Sequence, residues 1–193
     1  MNEALISVME RIFDSEDTTV GGGAASALSG AMAAGMIGMV ARLSAKKPVN
    51  LTVEEYGEIA EECDKLTAQL QQGAVNDMLA YRRIVDAFRL PKETEEEKAE
   101  RKEAIQAAAI YAAEVPRDNG RLNTRVHALG QRLRNHSNPA CISDLMSALY
   151  LSAGGIKDCA LNINANLGMI KDEQAAAGLK NEMTELLLQA ISS

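Results

Sequence analysis

The sequence contains no tryptophan, and only four tyrosines and two phenylalanines among 193 residues. Strands favour aromatic and β-branched side chains, so this shortage argues against a sheet and leaves Ala, Leu, Ile, Val and nine Met to fill the interior. Cysteine is also scarce. Cys63, Cys141 and Cys159, an odd set at wide spacings, fit neither a disulfide framework nor a zinc knuckle, and are expected as buried free thiols in a reducing cytoplasm. The two histidines, His127 and His136, have no carboxylate at ligand spacing, so no metal site is expected. Positive charge is in deficit, with 20 Lys and Arg against 27 Asp and Glu for a net charge of −7. That is the wrong sign for a nucleic-acid binder, and an anionic ligand would need a local basic pocket.

The opening segment MNEALISVMERIFDSED carries acids throughout and holds no uninterrupted apolar run, so a secretory signal is not expected. Between Gly21 and Ala41, by contrast, no residue is charged, and the stretch is long enough to cross a bilayer. Its glycines and serines dilute the hydrophobicity, and nothing else in the chain resembles a span. The reading is a central helix buried on nearly all sides by other helices, with no membrane partner.

What is present is helical periodicity almost from end to end, which predicts an all-α, single-domain bundle (1–193) of seven or eight helices around the small-residue helix. Leu5, Val8, Met9 and Ile12 give a first amphipathic helix over Asn2 to Phe13. Gly21-Gly22-Gly23 then marks a turn and a helix start, by taking positive φ or by letting another group approach the backbone closely. Within Ala24 to Leu43, Gly30, Ala34 and Gly38 recur every fourth residue and leave a stripe almost without side-chain bulk. Thr52 caps a helix to Phe88 that Gly73 is expected to bend, and Pro91 ends it. Thr94 and Glu97 form a capping box for a helix stopping before Pro116. A separate helix with a basic side is expected from Asn123 to Asn135. Asn138-Pro139 opens another to about Leu151, Gly154-Gly155 ends or kinks it, and Asp172 opens a last one.

Four features carry chemistry, each with a plainer alternative. A glycine turn entering a helix offers unpaired N–H groups and the positive end of the dipole to an anion or carbonyl, or else it simply permits tight packing. Asp77, with Gly73, Ala74, Ala80 and Tyr81 near it on the helix, is either a partly buried carboxylate suited to proton transfer or a solvated acid paired with Arg82 or Arg83. Asp144, in CISDLMSALY, is either a similar acid or a first-turn complement to the dipole. Asn162 and Asn166 share a face of an otherwise apolar helix, where amides need a ligand or a partner helix. The run LPKETEEEKAERKEA reads as a solvated helix start stitched by charge pairs.

In order along the chain, VGGGAASALSGAMAAGMIGMVARLSAKK, NDMLAYRRIVDAFRLPKETEEEKAERKEAIQ, SNPACISDLMSALYLSAG and LNINANLG resemble the cyclodeaminase/cyclohydrolase family of folate enzymes, over about Gly21 to Asp172. The resemblance implies a cytoplasmic, all-α homodimer acting on one-carbon units carried by tetrahydrofolate, with no cofactor beyond that substrate. It implies either closure of formiminotetrahydrofolate to methenyltetrahydrofolate with release of ammonia, or hydration of the methenyl form to formyltetrahydrofolate. Under it, Asp77 or Asp144 is the acid–base group and Gly21, Gly22 and Gly23 wall the folate cleft. Asn162 and Asn166 orient the pterin, Ser143 is a further substrate contact, and Arg42, Lys46 and Lys47 neutralise the glutamate tail. Val20 stands where the family has Pro and Ala24 where it has Ser, which removes a hydroxyl from the turn. Ala24 keeps a non-catalytic folate-binding or structural dimer in view, and the long Thr52 to Phe88 helix a partner-binding adaptor.

Overall fold

The structure, a computed structural model, describes residues 2–191. Six α-helices follow one another: α1 (Glu3–Phe13), α2 (Gly22–Ala45), α3 (Val53–Arg89), α4 (Glu95–Leu133), α5 (Ile142–Leu167, entered through a 3₁₀ turn at Pro139–Cys141) and α6 (Glu173–Ile191). No strand occurs among the described residues. The all-α expectation holds, with six helices in place of seven or eight.

Two features read as breaks are not breaks. α4 runs through Pro116, although proline there removes the N–H that would bond the Ala112 carbonyl one turn back. Asn166 on α5 supplies the missing donor: its Nδ2 lies 2.9 Å from the Ala112 oxygen. The expected stop before Pro116 and fresh start at Asn123 therefore merge into one 39-residue helix. Gly154-Gly155 likewise sits inside a continuous α5, where a Cβ on Gly155 would lie 2.9 Å from Asn123 Cγ and 3.0 Å from the Ser26 carbonyl. Gly73 does not interrupt the 37-residue α3 either; it makes room for the buried Asn119, whose Nδ2 donates to the Gly73 carbonyl at 3.4 Å.

α2 is the middle of the bundle, packed against α3, α4 and α5. Ala24, Ala27, Ala33, Ala34, Ile37, Val40 and Ala41 are fully buried, and only a narrow stripe faces out. Among the described residues α2 alone has the length and apolar composition of a membrane span. Its three helical neighbours occupy the surface that lipid would have to cover. α2 and α5 run antiparallel: Ser26 meets Cys159 (Oγ to Sγ, 3.2 Å), Ser29 Oγ donates to the Leu151 carbonyl at 2.8 Å, and Asn138 N–H donates to Ser44 Oγ at 2.8 Å. This pairing places the N-terminus of α2 beside the C-terminal end of α5. All three cysteines are buried free thiols, and desolvation pushes Cys63 and Cys159 up to about 12.

Candidate functional site

Gly21, the N-cap of α2, has no side chain with which to satisfy the helix's first N–H groups. A neighbouring helix does so. Asp77 projects from the middle of α3, and its carboxylate accepts the Ala24 N–H. It reaches that position because Gly23 is a glycine: a Cβ there would overlap the carboxylate oxygens and lie 2.5 Å from Asp77 Cγ. No glycine among the described residues has positive φ, so close approach, not a left-handed turn, is what the triple glycine provides.

Of the two readings of Asp77, the solvated acid paired with Arg82 or Arg83 is not the one found. Arg83 stacks over the Tyr111 ring at 4.1 Å, and Arg82 lies within electrostatic reach of Asp17. Asp77 is instead half-buried without a cation, and desolvation raises it from 3.8 to about 6, against a smaller downward pull from the Ala24 N–H. A carboxyl titrating there exchanges its proton readily near neutral pH.

Asp77 opens onto a cleft of about 240 Å³. Gly21, Gly22 and Gly23 form one wall, Ala80, Tyr81 and Ile84 of α3 a second, and Asn162, Ala165 and Asn166 of α5 a third, with Thr18 and Thr19 at the rim. Asn162 Nδ2 donates to the Asp158 carbonyl at 2.8 Å, and its amide oxygen is left for a ligand. Asn166 Nδ2 is committed to the Ala112 and Asn162 carbonyls, each at 2.9 Å, so it braces the wall.

Of the residues selected from sequence, Gly21, Gly22, Gly23, Asp77, Asn162 and Asn166 therefore converge. The others do not. Arg42, Lys46 and Lys47 stand at the opposite end of α2, about 30 Å away at 1.5 Å per residue, where Arg42 pairs with Asp64 at 2.5 Å. Ser143 and Asp144 open α5, about 27 Å along it from Asn162. The antiparallel pairing of α2 and α5 that unites the first group is what carries the second group away. Within one chain, Asp144 and the Arg42 cluster are thus remote from the cleft. Tyr81, one turn beyond Asp77 and 41% exposed, was not singled out as a site residue, although its i, i+4 spacing from Asp77 points to the same face. Among the described residues no group of three His, Cys, Asp or Glu side chains has metal-binding geometry.

Comparison with known proteins gives this geometry a context. The family model described as formiminotransferase-cyclodeaminase matches residues 6–185. A methenyltetrahydrofolate cyclohydrolase from Methylorubrum extorquens is 32% identical over 190 residues, covering 98% of this chain and 91% of the relative. The formimidoyltransferase-cyclodeaminase of Rattus norvegicus is 23% identical over 97% of the chain, which spans 35% of that longer protein. The crystal structure of formiminotetrahydrofolate cyclodeaminase from Thermotoga maritima superposes with a TM-score of 0.81 at 25% identity, covering all of this chain and 91% of that one. On the extent of the family match and the near full-length relative, the chain belongs to the formiminotransferase-cyclodeaminase family.

Proposed function

We propose that the chain is a cytoplasmic, homodimeric folate enzyme acting at the carbon that bridges N5 and N10 of tetrahydrofolate, as a formiminotetrahydrofolate cyclodeaminase or a methenyltetrahydrofolate cyclohydrolase. The observation that carries this is the Asp77 carboxylate, raised to about 6 and facing a cleft beside the N-terminus of α2. Both reactions pass through a tetrahedral carbon bonded to N5, N10 and one heteroatom, so one cleft and one proton carrier serve either.

In the deaminating direction N10 attacks the formimino carbon, Asp77 takes the N10 proton, and the same carboxyl returns it as the C–N bond to ammonia breaks. In the hydrolytic direction Asp77 takes a proton from the attacking water and delivers it to N5 as the C–N5 bond opens. The second water proton leaves to solvent as the formyl C=O forms. The ionised carboxylate also stabilises the cationic methenyl bridge. The Asn162 amide oxygen accepts from the pterin edge, and Gly21 and Gly22 keep the wall free of side chains. Ala24 acts through its N–H alone.

Following the near-ultraviolet band of methenyltetrahydrofolate tests this. The formimino compound should gain the band, or the methenyl compound lose it, faster than in buffer with protein added. Tight tetrahydrofolate binding with neither turnover would sink the enzymatic reading and leave the non-catalytic dimer that Ala24 kept in view.

A further inference from the structure

Behind the glycine wall, between α2, α4 and α5, lies a buried run of polar groups that does not reach the cleft. Ser26, Asn123 and Cys159 are all fully buried. Ser26 Oγ stands 2.7 Å from the Gly23 carbonyl and 3.2 Å from Cys159 Sγ. Asn123 donates through Nδ2 to the Ser26 carbonyl at 3.3 Å, and the same nitrogen lies 4.0 Å from Cys159 Sγ. A serine bonded to the carbonyl three residues back is an ordinary way to satisfy a buried hydroxyl, and a buried cysteine by itself is a small apolar filler. What sets this group apart is the peptide on which it ends.

The direction of each bond follows from its chemistry. A carbonyl oxygen only accepts, so the Ser26 proton lies toward Gly23. With that proton committed, Ser26 Oγ accepts from the Cys159 thiol. Desolvation above all, with smaller pushes from the charges of Asp77 and Asp158, raises that thiol to about 12 and keeps it protonated. The Gly23 carbonyl belongs to the same planar peptide as the Ala24 N–H, and that N–H is the one Asp77 accepts. The donors therefore run one way, from the Cys159 thiol through the Ser26 hydroxyl and the Gly23–Ala24 peptide to the Asp77 carboxylate. In a chain of one sense each bond polarises the next, by about 10–30% per bond.

Few charges face this turn. α2 carries none from Gly21 to Ala41, α3 adds Tyr81 beside Asp77 in the cleft, and α5 adds Asp158 next to Cys159. In the loop before α2, Asp17 is paired with Arg11. α4 faces the turn with the neutral amides of Asn119 and Asn123, while its Arg117 is held by Glu114, Asp118 and Glu182.

We infer that Ser26 and Cys159 are positioning residues for the reaction at Asp77: through the Gly23–Ala24 peptide they set the strength of the hydrogen bond that holds its ionised carboxylate. The inference rests on the functional reading above, in which Asp77 carries the proton. Ala24 has no hydroxyl to offer, so the polarisation of its N–H is how α2 acts on the carboxylate.

Titrating the Asp77 carboxyl by carbon-13 NMR, with Asp77→Asn to assign its signal, tests this without turnover. Ser26→Ala cuts the chain next to the peptide and should move the midpoint up by about 0.5 pH unit. Cys159→Ala removes the far link and should move it up by less. Cys159→Ser puts a stronger donor at the same place and should move it down. Thermal midpoints within a few degrees of the wild type check that the variants fold. In kcat/KM the Ser26→Ala shift should appear as about a threefold loss at pH 5 with little change at pH 8, whereas a merely structural defect lowers both alike. Identical Asp77 midpoints across the series, or Cys159→Ser and Cys159→Ala moving it the same way, would overturn the inference while leaving folate turnover intact. The ordered series in a protein that turns over neither folate would uphold the hydrogen-bond chain and sink the functional reading, a result distinct from a flat series.

Discussion

Asp77 is costly to hold ionised. Raising its carboxyl from 3.8 to about 6 disfavours the ionised folded state by about 1–3 kcal/mol at neutral pH. Between those two values the folded protein binds more protons than the unfolded chain, so this contribution to stability falls as pH rises from about 4 to about 6 and is level above. Asp77→Asn keeps the acceptor for the Ala24 N–H and removes the buried charge. It should raise the thermal midpoint at pH 7 and lower kcat by about 10²–10⁴-fold. A variant that is inactive and less stable would argue that Asp77 is structural. In the wild type kcat/KM should fall about tenfold per pH unit below about pH 6 as the base is protonated; a flat profile down to pH 5 would exclude it. Gly23→Ala displaces the same carboxylate and should cost about 100-fold in kcat. Gly21→Ala, whose added Cβ meets nothing within 4 Å, leaves Asp77 in place and should retain turnover.

At the scale of helices, the sequence was legible where local rules decide and illegible where a distant side chain overrides them. The capping boxes at Thr52 and Thr94, the apolar length of α2 and the proline after α3 needed only neighbouring residues to interpret. Pro116 did not behave locally, because the donor that rescues the Ala112 carbonyl comes from Asn166, 54 residues away. The packing role of the glycines at 73 and 155 was likewise hidden, since nothing in their own segments reveals that Asn119 and Asn123 would fill the space. The Pro116 account is measurable by a double-mutant cycle. Asn166→Ala alone should cost about 1–3 kcal/mol by orphaning a buried carbonyl. In a Pro116→Ala background, where residue 116 supplies its own N–H, the same change should cost at least about 0.5 kcal/mol less. Equal costs in both backgrounds would break the link.

Across the whole molecule, the candidate site was legible as a list of residues and not as a place. Sorting Asp77 from Asp144, and Asn162 from Arg42, required knowing that α2 and α5 run antiparallel, which periodicity does not encode. The same scale governs assembly. Along its outward stripe α2 shows Ala25, Met32, Gly35 and Met39, with no charge from Gly21 to Ala41. Met32 and Met39 are 56% and 39% exposed, on the helix that is otherwise the most deeply packed in the bundle. An uncharged face of this kind is costly to leave in water, and a second copy related by a two-fold axis would cover it with its own equivalent. The wild type should therefore sediment at twice the chain mass of 20.7 kDa. Met32→Glu combined with Met39→Glu places four like charges across such an interface and should give single chains with unchanged helical content. A monomeric wild type, or a doubly substituted variant that still dimerises, would move the interface away from α2. Because Asp77 enters its cleft from the opposite side of α2, through Gly23, loss of the dimer should then be read separately from loss of turnover.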